Sequence, residues 1–350
     1  MKSAMREIAG CGTPQPPHVA SKRKSLSREE YVAGILRGDR NLLARAVTLV
    51  ESAREADRAL AEQIVEDCLP HSGNSIRVGI TGVPGAGKSS LIEALGGYLT
   101  AARQKVAVLA IDPSSRISGG SILGDKTRMT TLAASEMAFV RPSPSRGIAG
   151  GVAQRTREAM LLCEAAGYRN ILVETVGVGQ SETAVHEMVD FFLLIALAGA
   201  GDELQGIKRG VMELADLVAV NKADGANVTP AERARAEAQN ALHFFPAAES
   251  GWTPRAVTCS ALTGAGIREL WDYVLEYAAL TQANGSFAKT RRDQQRRWMH
   301  EMIDQALRQR FDASPAVRSR VESLEQDVAE ERTTSFRAAR MLLDAYTRAS

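Results

Sequence analysis

Eight residues constrain this chain more than any others: Gly82-Val83-Pro84-Gly85-Ala86-Gly87-Lys88-Ser89. They fit the spacing G-x-x-x-x-G-K-[S/T]. An apolar run at 77–81 precedes them and an amphipathic stretch at 89–101 follows, as a strand–loop–helix unit requires. Glycines at these positions let the backbone wrap a polyphosphate, with main-chain N–H groups facing the anion. Lys88 then places a point charge against the β- and γ-phosphates, and the Ser89 hydroxyl is a ligand for Mg²⁺. Pro84, Ala86 and Ser90 complete the expected phosphate-side set. A dinucleotide fingerprint read from Gly82, Gly85 and Gly87 would leave Lys88 and Ser89 without a role.

A loop of this kind needs a sheet to hold it, and the sequence supplies one. Apolar runs at 77–81, 106–111, 138–140, 171–173, 191–197, 217–220 and 256–259 alternate with helical patterns. That alternation predicts an α/β fold with a doubly wound, mostly parallel sheet. The runs are nearly continuous rather than alternating, which fits strands covered on both faces.

A second motif, Asn221-Lys222-Ala223-Asp224, follows the run at 217–220. N-K-x-D reads guanine. The Asp224 carboxylate can accept from guanine N1–H and the 2-amino group, and adenine offers neither donor. A buried acceptor left unpaired disfavours the wrong base by roughly 10⁴-fold. Asn221 steadies the loop, the Lys222 stem covers the ring face, and Ser260-Ala261-Leu262 supplies a further base-side loop.

Between these motifs lie three carboxylates. Asp112 follows the run at 106–111, Asp125 lies in Gly124-Asp125-Lys126-Thr127-Arg128, and Glu174 follows the run at 171–173. In an open α/β sheet, ligands gather at the carboxyl ends of the strands. Ser89, Asp112, Asp125 and Glu174 are therefore candidates to hold Mg²⁺, and Lys88, Asp112 and Glu174 to carry catalysis by orienting the attacking water and stabilising charge. Gly177 is placed to give its N–H to the γ-phosphate, making the stretch to Gln180 a nucleotide-sensing segment. A glycine- and charge-rich loop at 199–209 follows the run at 191–197.

The rest of the chain is helical in pattern. Residues 1–26 read as a disordered tail. Residues 27–75 read as a helical region, opened by Ser27 and Glu30 as a capping box. The G domain is expected over 76–282, and a helical arm over 283–350 follows a hinge at Ala283, Asn284 and Gly285. Met299, Met302, Ile303, Ala306, Leu307 and Phe311 line one side of that arm. Packing against its own domain is the commoner fate of such a stripe, and dimerisation the more specific one. Arg291, Arg292, Arg296 and Arg297 read as a solvated or intramolecular face.

With 43 basic and 41 acidic residues among 350, the charge is nearly balanced, so nothing drives general binding to nucleic acid or anionic lipid. No apolar run approaches the ~20 residues of a membrane span. The four scattered cysteines form no metal-binding spacing, and no secretory signal is recognisable, so a cytoplasmic location is expected.

Long segments of the chain resemble the MeaB/ArgK family of P-loop GTPases, of the SIMIBI class. They are 78–89, 111–115, 119–129, 173–182 and 199–208, including Val173-Glu174-Thr175-Val176-Gly177-Val178-Gly179-Gln180 and Gly201-Asp202-Glu203-Leu204-Gln205-Gly206-Ile207-Lys208. The resemblance implies a homodimeric, GTP-hydrolysing chaperone of an adenosylcobalamin-dependent acyl-CoA mutase, methylmalonyl-CoA mutase above all. It implies GTP/GDP as ligand, Mg²⁺ as cofactor, and adenosylcobalamin as a cofactor of the partner mutase. It assigns Gln180, Asp202, Glu203, Gln205 and Lys208 to switches that couple the partner to hydrolysis. The chain departs from the family at Arg116-Ile117-Ser118, Ile148-Ala149 and Ala198, near the phosphates or the partner. A relative such as 2-hydroxyisobutyryl-CoA mutase is therefore a second expected client. A GTP-dependent metal-insertion chaperone and a transport-associated kinase are the alternatives.

Overall fold

Continuous runs of Val, Ile, Leu and Phe become strands here because helices cover both faces of the sheet. The computed structural model describes residues 26–52, 54–111, 129–141, 151–175, 181–198, 209–246 and 248–349. Its strands are β1 (Ile76–Gly82), β2 (Val106–Ile111), β3 (Ala138–Arg141), β4 (Asn170–Thr175), β5 (Phe191–Leu197), β6 (Leu217–Asn221) and β7 (Arg255–Thr258). They form one seven-stranded sheet in the order β3-β2-β4-β1-β5-β6-β7. Every pairing is parallel. The expected fold class is therefore the observed one.

The strand ends differ from expectation by one or two residues, and one difference matters. β4 continues past residue 173 because Glu174 pairs with both Ile80 of β1 and Ala110 of β2. Glu174 is thus held by the ladder on both sides rather than sitting in a loop.

The chain runs from β1 to β2 and β3 on one side, returns to place β4 beside β1, and then builds β5 to β7 on the other side. The direction of winding reverses around β1. Open sheets bind ligands at such a point, outside the carboxyl ends of the strands. The phosphate-loop motif begins at the carboxyl end of β1.

The helices are α1 (Arg28–Leu36), α2 (Arg40–Val50), α3 (Glu55–Cys68), α4 (Lys88–Ala101), α5 (Thr130–Ala134), α6 (Gly151–Ala165), α7 (Ser181–His186), α8 (Arg209–Glu213), α9 (Val228–Leu242), α10 (Ile267–Ala283), α11 (Ser286–Ala313), α12 (Pro315–Ala329) and α13 (Ser335–Ala349). The Ser27–Glu30 capping box is formed in both directions. Helices α1 to α3 share one apolar cluster with α6 and one sheet face: Ile35, Leu43 and Ile64 pack with Met160, Ile171 and Phe192. The opposite face packs on α4 and α10 through Leu91, Leu95, Leu270 and Trp271. A third cluster joins β5 and β6 to α9.

The arm leaves this core. Arg291 near its root chelates Asp190 and donates to the carbonyls of Gly73 and Ser75 at 2.6 and 2.7 Å. Gln294 donates to the carbonyl of Val189 at 2.8 Å. Beside this latch lies the buried pair Arg77–Glu164 at 2.8 Å. Of the basic run, Arg291 is thus an enclosed anchor rather than a solvated charge. Farther along α11 the apolar stripe is open: Met299, Met302, Ile303 and Leu307 are 47–53% exposed. Packing of the whole stripe on its own domain is not what the structure shows. The helix is 28 residues long, about 42 Å at 1.5 Å each, and beyond Trp298, which lies under Arg157 at 4.6 Å, Met302 and Ala306 face α3 and α6 across a cavity instead of packing on them. Among the described residues no helix is long and apolar enough to cross a membrane.

Candidate functional site

Two adjoining clefts lie over the carboxyl ends of the strands. The first, of about 590 Å³, is lined by Gly85, Lys88, Ser89, Ala110, Glu174 and Thr175 among others. The second, of about 450 Å³, is lined by Glu93, Asn221, Asp224, Ala261 and Leu262 among others. Both share Gly87, Ser90 and Lys222, so they form one trough from the phosphate loop to the N-K-x-D loop.

The loop geometry explains two of its glycines. A Cβ on Gly82 would lie 2.4 Å from the Ile195 carbonyl oxygen, so β1 and β5 approach here only with glycine present. Gly87 has φ +87° and a Cβ there would lie 2.6 Å from the Asn221 amide nitrogen. The left-handed turn and the contact with Asn221 both require glycine. The Lys88 ammonium donates to the carbonyls of Gly82 and Val83 at 2.8 and 3.2 Å. It therefore folds back over the loop, at the wall of the first cleft.

Asn221 ties the two halves of the trough together. Its amide donates to the Ala86 carbonyl of the phosphate loop at 2.9 Å, and its carbonyl accepts from Ala261 N at 3.2 Å. The same carbonyl faces the Cys259 thiol at 3.8 Å. Lys222 adopts φ +61°, and its own carbonyl accepts from the Asn227 amide at 2.7 Å. Asp224 accepts from the Ser260 hydroxyl at 2.5 Å, and Ser260 in turn accepts from Thr263 N at 3.2 Å. The Asp224 carboxylate is thus aimed by a hydroxyl from the Ser260-Ala261-Leu262 loop, and Leu262 beside it is 85% exposed.

On the phosphate side, the Ser89 hydroxyl donates to Glu174 Oε1 at 2.8 Å, and both residues are buried. Thr175 donates its hydroxyl to Thr81 at 2.9 Å, locking β4 to β1 at the same level. A hydroxyl and a carboxylate are hard oxygen donors, the set that suits Mg²⁺ rather than a thiophilic metal. Among the described residues no group of three or more His, Cys, Asp or Glu is arranged to hold a metal alone. Cys68, Cys163 and Cys259 are buried, and burial pushes the Cys68 thiol to about 11 and that of Cys259 to about 12. Burial, and then Arg297, lowers the pKa of His186.

The structure therefore brings Gly82, Pro84, Gly85, Ala86, Gly87, Lys88, Ser89, Ser90, Glu174, Asn221, Lys222, Asp224, Ser260, Ala261 and Leu262 into or around one trough. Asp112, Asp125, Gly177, Gln180, Asp202, Glu203, Gln205 and Lys208 lie outside the described residues. Sequence reasoning passed over Glu93, which shares the base-side cleft. The signal was available, since Glu93 follows Ser90 by three residues on the same face of α4.

Comparison with known proteins shows the family. Residues 43–316 match the family model of the methylmalonyl-CoA mutase-associated GTPase MeaB. A putative GTPase of Caulobacter vibrioides is 51% identical over 312 residues, 89% of this chain and 95% of that protein. The GTPase ArgK of Escherichia coli is 49% identical over 79% of this chain and 84% of its own length. The mouse mitochondrial methylmalonic aciduria type A homolog is 44% identical over 91% of this chain and 79% of its own length. Among solved structures, an LAO/AO transport system kinase superposes with TM-score 0.73 at 38% identity, covering 91% of this chain and 96% of that one. On this evidence the chain belongs to the MeaB family of GTPases.

Proposed function

We propose that this protein is a GTP-driven chaperone of an adenosylcobalamin-dependent acyl-CoA mutase, with methylmalonyl-CoA mutase as the first client to test. The observation that carries the nucleotide part is the single trough in which Asn221 hydrogen-bonds the phosphate loop to the base-side loops. The family match supplies the client class.

In this reading guanine sits against Asp224, which accepts from N1–H and the 2-amino group while Ser260 holds its other side. Lys222 covers the ring with its methylene stem. The phosphates lie along the Gly82–Ser89 backbone, and the Lys88 ammonium exchanges the Gly82 and Val83 carbonyls for β- and γ-phosphate oxygens. Ser89 and Glu174 fit Mg²⁺, joined from the sequence by Asp112 and Asp125. The ion would neutralise charge on the transferring phosphate. Lys88, Asp112 and Glu174 form the catalytic set, with a carboxylate orienting the attacking water. Gly177 and Gln180 follow β4 and serve as the nucleotide sensor. Asp202, Glu203, Gln205 and Lys208 follow β5 and connect that state to the partner. Such coupling requires the mutase to prefer one nucleotide state.

The exposed stripe on α11 supports a homodimer formed through the arm at 283–350, with residues 76–282 as the G domain and 27–75 as its helical prelude. Adenosylcobalamin is assigned to the mutase. The test is mutase survival during turnover. Wild-type protein with GTP should extend the active lifetime of methylmalonyl-CoA mutase, and Lys88→Ala with GTP should not. Equal lifetimes with and without the protein would refute the chaperone reading for that client.

A further inference from the structure

Glu93 is a carboxylate in an unusual position. It lies on α4, one turn beyond Ser90, and lines the base-side cleft. Its Oε1 accepts two backbone amides at the start of α5, Thr131 N at 2.9 Å and Leu132 N at 3.0 Å. Its Oε2 is shielded from solvent and accepts no hydrogen bond among the described residues. A carboxylate oxygen removed from water without a donor is costly, and native structures seldom keep one without a reason.

The trough suggests that reason. Gly87, Ser90 and Lys222 are common to both clefts, so a nucleotide that fills them carries its ribose past this stretch of α4. Ribose brings two hydroxyl donors. Of the other polar side chains in the base-side cleft, the Ser90 hydroxyl is a neutral and so weaker acceptor, Lys222 can only donate, and the Asn221 amide is committed at both ends. Asp224 is occupied by Ser260 and, in the reading above, by the base. Glu93 is the remaining carboxylate.

We infer that Glu93 is the ribose-reading residue of this site, its carboxylate turning toward the cleft so that the now shielded Oε2 accepts from a ribose hydroxyl of the bound nucleotide. The contact has a structural consequence. Through Oε1 the same carboxylate holds the first turn of α5, where the chain emerges from residues 112–128. Leu132 of that turn is seated on α4 against Gly96, where a Cβ would lie 2.5 Å from the leucine side chain. Sugar occupancy is thereby linked to the seating of α5 on α4.

The inference rests on the nucleoside lying in the base-side cleft, and the test keeps the two ideas apart. The full chain is titrated with GDP, 2′-deoxy-GDP, 3′-deoxy-GDP and ADP, as wild type, Glu93→Gln and Glu93→Ala. A hydrogen bond to a charged group predicts that at least one deoxy form binds wild type about 10- to 100-fold more weakly than GDP. Glu93→Ala should bind GDP and that deoxy form within about twofold of each other. Glu93→Gln keeps an oxygen for the two amides and should show an intermediate preference. Wild type binding both deoxy forms as tightly as GDP would overturn the inference, as would full ribose preference persisting in Glu93→Ala. Wild type binding ADP as tightly as GDP would instead refute the base-side reading, and that result comes from a separate ligand pair.

Discussion

Replacing Asp224 with Asn probes the base side with a nearly isosteric change. In the native loop the carboxylate accepts from Ser260 at 2.5 Å. An asparagine oxygen can keep that bond, so the loop should hold its shape. The amide nitrogen would then face the guanine N1–H and 2-amino donors, replacing two charge-assisted bonds with a donor–donor clash. Each such bond is worth about 1.5–3 kcal/mol, so their loss costs roughly 3–6 kcal/mol. At about 1.4 kcal/mol per decade that is a 10²- to 10⁴-fold loss of GDP affinity. Xanthine carries a carbonyl where guanine carries the 2-amino group, so the variant should gain affinity for XDP. The assay is competition by GDP and XDP against a fluorescent nucleotide, with thermal melting as the folding control. A folded variant that binds GDP within about fivefold of wild type would refute the assignment of Asp224.

Three further outcomes follow from the same geometry. Lys88→Ala should lower kcat for GTP by about 10³-fold or more, because the group that meets the developing phosphate charge is gone; turnover near wild type would remove the phosphate-loop reading. Arg291→Met strips Asp190 of its ion pair and leaves the Gly73 and Ser75 carbonyls without that donor. It should destabilise the fold by about 3–5 kcal/mol, read by urea titration, and a loss below about 1 kcal/mol would show that the arm is not anchored there. Asp216 accepts from Phe192 N at 2.8 Å, and desolvation raises its pKa from 3.8 to about 7. A raised folded-state pKa means its contribution is fully present below about pH 4 and lost as pH rises through about 7. The loss is at most about 4 kcal/mol, and less because Asp216 keeps some solvent contact. Asp216→Asn should therefore flatten the stability profile between pH 4 and 7, and an unchanged slope would contradict this.

Much of the site was legible because its chemistry tolerates few substitutes. Gly87 is left-handed and must clear Asn221, and the proposed chemistry needs a charge at Lys88 and an acceptor at Asp224, so the letters themselves mark the candidate place. Fold class was legible for a similar reason: seven apolar runs separated by helical patterns leave few arrangements. Long-range pairings were not. Arg291 resembled its exposed neighbours because its partners Asp190, Ser75 and Gly73 lie 101 to 218 residues away. Glu93 went unread because a glutamate on a helix is usually a solvated charge, and only the position of α5 shows that it caps a chain turn. Glu174 was read at the end of its strand and lies there, but its pairing with both Ile80 and Ala110 could not be read from the letters. The α11 stripe was visible as a pattern, but periodicity does not say whether its own domain covers it, and Met299, Met302, Ile303 and Leu307 stay about half exposed.

The most direct test of the whole account is GTP turnover by the full chain, alone and with purified adenosylcobalamin-dependent acyl-CoA mutases, methylmalonyl-CoA mutase first. The account predicts slow GTP hydrolysis alone, little with ATP, and a marked acceleration by one mutase. GTP hydrolysis that no mutase of this class alters would contradict the coupling on which the proposed function depends.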